Sequence, residues 1–503
     1  MSDPVAKVLL IYPPSRTQSH DSCPMALTML AAVLEGAGYG VHLLDANATC
    51  RRLTTAQIVD EAARIRPDII GVTLLTPLVK EAYRLASSLR SRGAKLIAGG
   101  PHATLLPEEP LAHGFDGVVV GEGEPTIVEA IEAVRGFVPM DSVKGLVYRE
   151  PDGRIKHNEP RPPIADLDTL PSPARHLVNP ADFGSTVDGG LHSNIFTSRG
   201  CPARCAYCAG GLFGKKFRFR SADNVVDELI SINREYGTRH FYFMDDAMTM
   251  NKERMRRICR RLTDERLGFT WSMMTRIDAV DEDLLDRVSR AGCEHIDYGV
   301  ESGNSDSLKR IHKPHTVDMV RRVIPLTHRF GIRPTVFFIL GFPWEDPAAI
   351  DETLKLMDDI SPHVVFHPAI ASILIPFPGT EIYDKYKDEY GFADWWVSDD
   401  RTFDTPRLGT HPFYQRVSYR VGAVLDADFF HYSPELKAKI HEVFRFMLAS
   451  NLRQRNRLTR AIKLSAFDLS KKLDAVSPML ERAVFTGPAK VCRLMKQARE
   501  FLS

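Results

Sequence analysis

The segment Arg-Gly-Cys-Pro-Ala-Arg-Cys-Ala-Tyr-Cys spans residues 199–208 and places three of the chain's eight cysteines in one short stretch. Clustered thiolates are soft ligands that suit zinc or an iron–sulfur cluster. A structural zinc site needs four protein ligands, and no second cysteine pair or nearby histidine supplies the fourth. A four-iron cluster usually takes four cysteines, so three would leave one iron open to a cofactor or substrate. Cys201, Cys205 and Cys208 are therefore predicted to bind a cluster with an open iron, and structural zinc is the alternative.

Strands and helices alternate regularly from this segment to about residue 385. Short apolar runs predict strands at Ile195–Ser198, His240–Met244, Thr270–Thr275, His295–Val300, Thr335–Leu340 and Val364–Leu374. Helical periodicity lies between them, near 222–236, 251–265, 281–291, 315–330 and 347–360. Six such units are too few for a closed eight-stranded barrel but suit an open, partial (β/α) TIM barrel. In barrels of this kind the chemistry lies at the C-terminal ends of the strands.

A second alternating series lies upstream, in residues 6–136. Its predicted strands are Lys7–Tyr12, Val41–Asp45, Asp68–Thr73, Lys95–Ala98 and Gly117–Val120, and its helices lie near 25–37, 55–65, 79–91 and 125–135. Strands that are apolar on both faces and alternate with helices predict a doubly wound parallel sheet. Gly145–Arg149 and Arg154–His157 resemble an appended hairpin.

These patterns predict an α/β protein of four parts. They are a doubly wound domain with its hairpin (1–158), a Pro-rich linker (159–190), the partial barrel (191–385) and a mostly helical C-terminal region (386–503). The helices of the last part are predicted near 434–455, 457–474 and 489–502, and they are rich in Lys and Arg.

Composition narrows the class of protein. A formal net charge of +1 over 503 residues gives no electrostatic reason to expect nucleic acid. The N-terminus lacks the basic start and apolar run of a signal peptide, and no run approaches the ~18 apolar residues of a membrane span. The five other cysteines are scattered, which favours a reduced, cytoplasmic protein over a disulfide scaffold.

The Cys-x3-Cys-x2-Cys spacing, with Tyr207 before the last cysteine, resembles the signature of the radical S-adenosylmethionine (SAM) superfamily. The resemblance implies that the open iron of a 4Fe-4S cluster chelates SAM and that an electron cleaves SAM to a 5′-deoxyadenosyl radical. It implies SAM contacts from Tyr207, Asp245, Asp246, Arg276, Glu301, Ser302 and Gly341.

Each implied SAM contact has a structural alternative. Asp245 and Asp246 would meet the SAM amino group, or else cap the next helix. Arg276 would bind the SAM carboxylate, or else form a salt bridge with Glu301. Glu301 and Ser302 would hold the SAM ribose. The turn at Gly341 would lie behind the adenine, or be only a tight turn.

The C-terminal edge of a doubly wound sheet is where ligands bind in this fold. Glycines at two adjacent strand ends let a large ligand approach the backbone, and no Gly-x-Gly-x-x-Gly dinucleotide motif follows the first strand. The set Tyr-Pro-Pro (12–14), Gly-Gly-Pro-His (99–102) and Gly-Glu-Gly-Glu (121–124) resembles the cobalamin-binding domain of cobalamin-dependent radical SAM enzymes. That resemblance implies cobalamin contacts from Pro13, Asp45, Asn47, Thr73, Leu74, Leu75, Thr76, Gly99, Gly100, Pro101, His102, Gly121, Glu122 and Gly123.

The lower face of the cobalt is predicted to lack a histidine ligand. The Asp-x-His-x-x-Gly motif of many cobalamin proteins is absent. His102 is expected to stabilise its turn rather than bind metal, because no matching Asp precedes it. Water or an apolar wall at Leu74–Leu75 is expected below the cobalt.

The resemblance implies methyl transfer, by way of methylcobalamin, to an unactivated carbon, or to phosphorus, of a small molecule. Ring formation or rearrangement without methyl transfer is the alternative, followed by methylthio transfer to tRNA and by a non-catalytic cobalamin sensor. An external electron donor such as flavodoxin or ferredoxin is expected. The basic C-terminal helices could meet an anionic substrate or a membrane surface, or simply present a solvated face.

Overall fold

A computed structural model describes residues 4–15, 20, 22–48, 50–183, 191–210, 212, 214–364, 366, 371–399 and 428–451. Two sheets dominate these residues, one before and one after the Pro-rich segment. Among the described residues, no helix is long and apolar enough to cross a membrane.

The first sheet has seven strands in the order β2-β1-β5-β6-β7-β8-β9. The first five in this order are parallel, and β8 and β9 form the antiparallel hairpin at one edge. The strands are β1 (Lys7–Tyr12), β2 (Gly40–Asp45), β5 (Ile69–Thr73), β6 (Leu96–Gly99), β7 (Gly117–Val119), β8 (Leu146–Arg149) and β9 (Ile155–His157), and a separate short pair is β3 (Asn47–Ala48) with β4 (Arg51–Arg52).

Helices cover both faces of this sheet, as the doubly wound prediction requires. They are α1 (Met25–Gly36), α2 (Thr55–Ile65), α3 (Val79–Arg90), α4 (Pro101–Leu105), α5 (Glu108–Ala112) and α6 (Ile127–Arg135). Val8 and Leu10 of β1 belong to the core that holds α1 and α6 residues. Leu9 and Ile11 belong to the core that holds α2 and α3 residues. Successive side chains of a strand point to opposite faces, so an all-apolar strand supplies two cores.

The second sheet is a six-stranded parallel barrel wall in the order β10-β13-β14-β15-β16-β17. Its strands are β10 (Asn194–Ile195), β13 (His240–Phe243), β14 (Thr270–Thr275), β15 (Cys293–Glu301), β16 (Arg333–Leu340) and β17 (Ala371–Ile373), while β11 (Ser198–Arg199) and β12 (Arg218–Phe219) pair separately and antiparallel. The predicted six-unit open barrel is therefore the observed architecture.

Each barrel helix begins at a residue whose side chain accepts a hydrogen bond from a first-turn backbone N–H, which satisfies a donor that the helix itself leaves unpaired. The helices are α7 (Ala222–Tyr236), α8 (Lys252–Asp264), α9 (Glu282–Arg290), α10 (Ser305–Arg310), α11 (Val317–Arg329), α12 (Pro347–Ile360) and α13 (Glu381–Tyr386), and a later helix is α14 (Pro434–Asn451). The caps of α7–α13 are Ser221, Asn251, Asp281, Asn304, Thr316, Asp346 and Thr380.

The structure corrects several sequence-based boundaries. The predicted strand Ile195–Ser198 is two separate pieces, because the chain leaves the barrel wall after Ile195 and pairs with Arg218–Phe219 instead. Of the predicted strand Val364–Leu374 only Ala371–Ile373 is a strand, and residues 365 and 367–370 lie outside the described residues. The predicted helices 457–474 and 489–502 also lie outside them, as does the end of 434–455. Helices α4, α5, α10 and α13 were not predicted, because segments of five or six residues carry little periodicity.

Candidate active site at the facing edges of the two sheets

The three clustered cysteines lie in the loop that connects the paired antiparallel strands β11 and β12. Gly200 follows β11 with a φ of +83°, and a Cβ there would lie 2.5 Å from the carbonyl oxygen of Lys216. Glycine is therefore required where the two ends of the loop pack against each other. On the other side, the backbone N–H of Ala206 donates to the carbonyl of Ile311, 3.1 Å away, just after α10.

The thiol set suits a multi-iron cluster better than a single metal ion. Cys201 and Cys205 are half-buried, Cys208 is exposed, and all three are free thiols. Among the described residues, no three His, Cys, Asp or Glu side chains converge closely enough to hold one metal ion. In an iron–sulfur cluster each thiolate binds a different iron, so wider spacing is expected. Burial raises the pKa of Cys205, and metal binding would deprotonate it.

Tyr207 and Glu301 meet beside this loop, together with a lysine that sequence patterns did not indicate. The Tyr207 hydroxyl donates to Glu301 Oε1 over 2.8 Å, and Lys313 Nζ lies 2.9 Å from the same oxygen. Both charged side chains are 8% exposed. Lys313 follows α10 without any spacing pattern toward Glu301, so only the fold reveals the pair.

Arg276 does not pair with Glu301, and that structural alternative was wrong. Its guanidinium binds Asp278 in a bidentate pair, with Nε–Oδ1 and Nη2–Oδ2 distances of 2.9 and 2.6 Å. Asp278 lies only two residues further along the chain, in the turn that follows β14, whereas Glu301 lies at the end of a different strand. Hydrogen bonding to Asp278 outweighs burial and raises the pKa of Arg276.

Asp245 and Asp246, which end the second barrel unit's strand, have different environments. Asp245 is 2% exposed and accepts hydrogen bonds from the Thr197 N–H at 2.6 Å and the Ser198 N–H at 3.1 Å, as well as from the Thr197 hydroxyl. Asp246 is exposed. Neither caps the next helix, whose cap is Asn251, so the capping alternative was wrong. Asp245 braces the chain just before the cysteines, which leaves Asp246 as the accessible carboxylate.

Ser302 and Gly341 are buried in one hydrogen-bonded group centred on Glu345. The Ser302 hydroxyl is fully buried and accepts from the Asn304 N–H at 3.1 Å, so it faces the protein rather than open space. Gly341 has a φ of +80° and donates to Glu345 Oε2 at 2.8 Å. Its carbonyl accepts from the Tyr432 hydroxyl at 2.7 Å. Burial raises the pKa of Glu345 to about 7.

The C-terminal edge of the first sheet divides the predicted cobalamin contacts into two groups. Partly exposed at the edge are Asp45, Thr73, Leu75, Gly99, Gly100, Pro101, Gly121 and Gly123, whereas Pro13, Asn47, Leu74, Thr76, His102 and Glu122 are buried. A Cβ at Gly99 or at Gly121 would meet no atom within 4 Å. This bare backbone at two neighbouring strand ends fits the approach of a large flat ligand.

The buried members of the predicted cobalamin set support this edge from the protein interior. Asn47 is 1% exposed; its Oδ1 accepts from the Ser15 N–H at 2.7 Å and its Nδ2 donates to the Pro13 carbonyl at 2.8 Å. Asn47 thus fixes the loop after β1, and its polar atoms are turned into the protein. Leu74 is fully buried below the edge, next to the half-exposed Leu75.

Both ring nitrogens of His102 are engaged within the protein. Nδ1 lies 3.1 Å from Thr76 Oγ1, and Nε2 lies 3.2 Å from Glu109 Oε1. The ring is fully buried, and its edge packs on Trp396. Both a metal bond and a direct cobalamin contact are inconsistent with this environment.

Glu122 turns away from the open edge and into the barrel. Its carboxylate binds Arg218 through two contacts, of 2.9 and 3.0 Å, and also lies 3.1 Å from Arg199 Nη1. It accepts from the Ile164 N–H at 2.6 Å. Burial alone would raise its pKa, but the hydrogen bonds from Arg218, Ile164 and Arg199 outweigh it and lower the pKa.

Comparison with known proteins agrees with this geometry. Residues 195–357 match the family model of the radical SAM superfamily, and residues 16–131 match that of the B12 binding domain. An uncharacterized methyltransferase, PH0819, of Pyrococcus horikoshii is 30% identical over 390 residues, covering 76% of this chain and 83% of that protein. An anaerobic magnesium-protoporphyrin IX monomethyl ester cyclase of Rubrivivax gelatinosus is 26% identical, covering 74% and 68%.

The fold also matches that of a solved structure. The radical SAM methyltransferase TsrM from Kitasatospora setae superimposes with a TM-score of 0.66 at 17% identity, covering 100% of both chains. At that identity the match concerns the fold.

Proposed function

The chain belongs to the cobalamin-dependent radical SAM enzymes, and we propose that it transfers a methyl group from SAM to an unactivated carbon of a small molecule. When bound, the 4Fe-4S cluster and cobalamin supply one-electron cleavage of SAM and a carrier for the methyl group. The observation that carries the proposal is the contact between the two sites. The Gly121–Glu124 loop, at the bare edge of the first sheet, binds both strands that flank the cysteine loop.

In this proposal the cysteine loop holds the cluster and Tyr207 closes it against the barrel. Cys201, Cys205 and Cys208 would each bind one iron, leaving the fourth iron to SAM. Tyr207 and Lys313 fix Glu301 in place through the contacts described above.

SAM would lie across the barrel's C-terminal end, where charges of both signs are available. The Arg276 guanidinium, oriented by Asp278, suits the SAM carboxylate. The exposed Asp246 suits the amino group, and Glu301 suits the ribose hydroxyls, which donate to a carboxylate. Asp245 and Ser302 serve the proposal only as supports.

Cobalamin would cover Gly99 and Gly121, with Leu75 and the buried Leu74 below it. Neither ring nitrogen of His102 is free to bind cobalt. We therefore propose a lower face that meets water or the leucine pair.

Ring formation is the second candidate. It is supported by the similarity to the R. gelatinosus cyclase, which covers about as much of this chain as PH0819 does. It uses the same cofactor sites and differs only in the fate of the substrate radical.

The electron is proposed to come from an external donor of the flavodoxin or ferredoxin type. The cysteine loop supports this, because Cys208 is exposed and the same stretch between β11 and β12 carries three exposed cations, Arg204, Lys215 and Lys216. A reducing cytoplasmic setting is part of the proposal. All seven cysteines within the described residues are free, as expected of a reduced protein.

The test is product analysis after anaerobic reconstitution with iron, sulfide and hydroxocobalamin. SAM with a labelled methyl group and a strong reductant would be added to a pool of candidate small molecules. The expected result is 5′-deoxyadenosine together with label in a new product, whereas deoxyadenosine without transferred label would favour ring formation.

Two matched variants complete this test. Cys201→Ala is expected to abolish deoxyadenosine formation, while Cys50→Ala, an exposed cysteine outside the loop, is expected to retain it. Deoxyadenosine production that survives Cys201→Ala unchanged would overturn the cluster assignment.

A further inference from the structure

A group of two glutamates and two arginines, buried at Glu122 and Arg218 and partly exposed at Glu124 and Arg199, joins the first sheet to the barrel. Glu122 contacts Arg218 and Arg199, and Glu124 contacts Arg199 through Oε1 and, at 3.3 Å, through Oε2. The side chains of Glu122 and Arg218 are 4% and 6% exposed. A buried ion pair of this kind is held by multiple hydrogen bonds, and its loss leaves an uncompensated charge.

The two arginines occupy paired positions on either side of the cysteine loop. Arg199 in β11 is the register partner of Arg218 in β12, and the three cysteines lie in the chain between them. One carboxylate therefore holds both ends of the loop. Any restraint on the loop, such as a bound cluster, restrains the two guanidinium groups as well.

The glutamates lie in the Gly121–Glu124 loop, whose backbone at Gly121 forms part of the bare edge proposed for cobalamin. Glu122 lies between Gly121, where a Cβ would meet open space, and Gly123, where a Cβ would lie 2.9 Å from Leu30 Cδ2 of α1. The N–H of Gly121 donates to Thr104 Oγ1 at 3.1 Å. The carboxylate of Glu122 also accepts from the Ile164 N–H, and Arg218 donates to the Ile164 carbonyl at 2.6 Å, which includes the linker in the group.

We propose that Glu122 is a positioning residue that couples cobalamin binding to iron–sulfur cluster assembly. The cluster fixes the cysteine loop, the loop fixes Arg199 and Arg218, and these hold Glu122 so that Gly121 and Gly123 are ordered for cobalamin. Without the cluster, part of the cobalamin binding free energy is spent on ordering this loop. Coupling between two binding sites is reciprocal, so cobalamin also favours retention of the cluster.

The test measures the dissociation constant of hydroxocobalamin by absorbance titration, with the full chain in its cluster-free and cluster-reconstituted forms. Wild-type protein is expected to bind about tenfold more tightly with the cluster, within the usual range of coupling between sites. In Glu122→Gln the two dissociation constants are expected to agree within about twofold. Iron retention under a chelator, with and without hydroxocobalamin, reports the reciprocal effect.

Glu129→Gln is the matched control, because Glu129 in the same domain also pairs with an arginine, Arg161, but is 49% exposed. It is expected to keep the wild-type ratio. Glu124→Gln, which breaks contacts to Arg199 alone, is expected to give an intermediate ratio.

Two results would overturn the proposal: equal dissociation constants with and without cluster in wild-type protein, or a wild-type ratio in Glu122→Gln. If Glu122→Gln does not fold, as judged by circular dichroism, Arg218→Lys is measured instead. It keeps the charge but not the bidentate contact, and its ratio is also expected to fall. None of these readouts depends on whether the enzyme transfers methyl groups or closes rings.

Discussion

Replacing Asp245 by asparagine tests whether this residue supports the cysteine loop or contacts SAM. Its two carboxylate oxygens accept from the Thr197 N–H, the Thr197 hydroxyl and the Ser198 N–H, and it is 2% exposed. Burial lowers the pKa of Arg254 to about 10, and the negative charge of Asp245 partly offsets this lowering. The amide that replaces this carboxylate would offer one acceptor oxygen to the two backbone N–H groups and place an NH₂ group against the Thr197 hydroxyl, which would then have to accept rather than donate.

The expected cost follows from these contacts. A hydrogen bond to a charged group contributes about 1.5–3 kcal/mol, and an unsatisfied buried donor costs a similar amount. The amide oxygen of asparagine can keep both backbone N–H groups, which share Oδ1, but all three contacts lose the charge that strengthens them. We expect the free energy of unfolding of the barrel to fall by about 2–4 kcal/mol, a large fraction of the ~5–15 kcal/mol typical of a folded protein.

Denaturant unfolding of the cluster-free protein, followed by tryptophan fluorescence, measures this loss. The chain has four tryptophans, Trp271, Trp344, Trp395 and Trp396, and all lie in or after the barrel. Their fluorescence therefore reports the barrel together with its contact to the first domain, because Trp396 also packs on His102 and donates to Glu109. Unfolding of the first sheet need not coincide with that of the barrel, so far-UV circular dichroism is recorded alongside. Iron content after reconstitution is expected to fall together with stability.

Asp246→Asn is the control for this measurement. Asp246 is the exposed neighbour, so its replacement is expected to change stability by less than about 0.5 kcal/mol. We expect it instead to weaken SAM binding to the reconstituted enzyme. Unchanged stability in Asp245→Asn, with a loss of SAM affinity larger than that in Asp246→Asn, would refute the reasoning.

Three further predictions concern single sites. Burial raises the pKa of Glu345 to about 7, so between about pH 5 and pH 7 the folded state retains a proton that the unfolded state has lost. The free energy of unfolding of the wild-type barrel is therefore expected to fall from about pH 5 to pH 8 by up to ~3 kcal/mol more than that of Glu345→Gln. Parallel pH profiles of the two proteins in urea unfolding would contradict this. Gly99 has open space at its Cβ position and no positive φ, so Gly99→Val is expected to abolish hydroxocobalamin binding in a titration while the circular dichroism spectrum stays unchanged. Gly36→Val, at the open end of α1, is the control, and retained binding in Gly99→Val would argue against this edge as the cobalamin site. His102→Gln is expected to leave the absorbance spectrum of bound cobalamin unchanged, since both ring nitrogens contact the protein, whereas a shift on mutation would identify His102 as a cobalt ligand.

Local patterns were enough to predict the two sheets. Strands such as Lys7–Tyr12 and Thr270–Thr275 were predicted because apolar runs bounded by turn residues carry a strong signal. The chain's exit from the barrel wall after Ile195 could not be predicted in the same way. It depends on Arg218–Phe219, which returns as a pairing partner after the cysteine loop.

The partners of the charged side chains were the least predictable feature. Glu301 was expected to pair with Arg276 if Arg276 did not bind SAM, yet it pairs with Lys313, while Arg276 pairs with Asp278. Asp245 and Ser302 were predicted as SAM contacts from the resemblance of their strand-end motifs to those of the radical SAM superfamily. The position of a residue at a strand end does not determine the direction of its side chain. Asp245 and Ser302 instead accept hydrogen bonds from backbone N–H groups of the protein, those of Thr197 and Asn304.

The sequence by itself determined the fold class, the three clustered cysteines and the glycine-lined edge of the first sheet, because periodicity, spacing and backbone freedom are properties of neighbouring residues. Only the tertiary structure decided that Glu122 faces the barrel rather than cobalamin. Its partner Arg218 is 96 residues away in the chain. Charges interact through space, so a buried carboxylate pairs with whichever cation the packing of the two sheets brings to it.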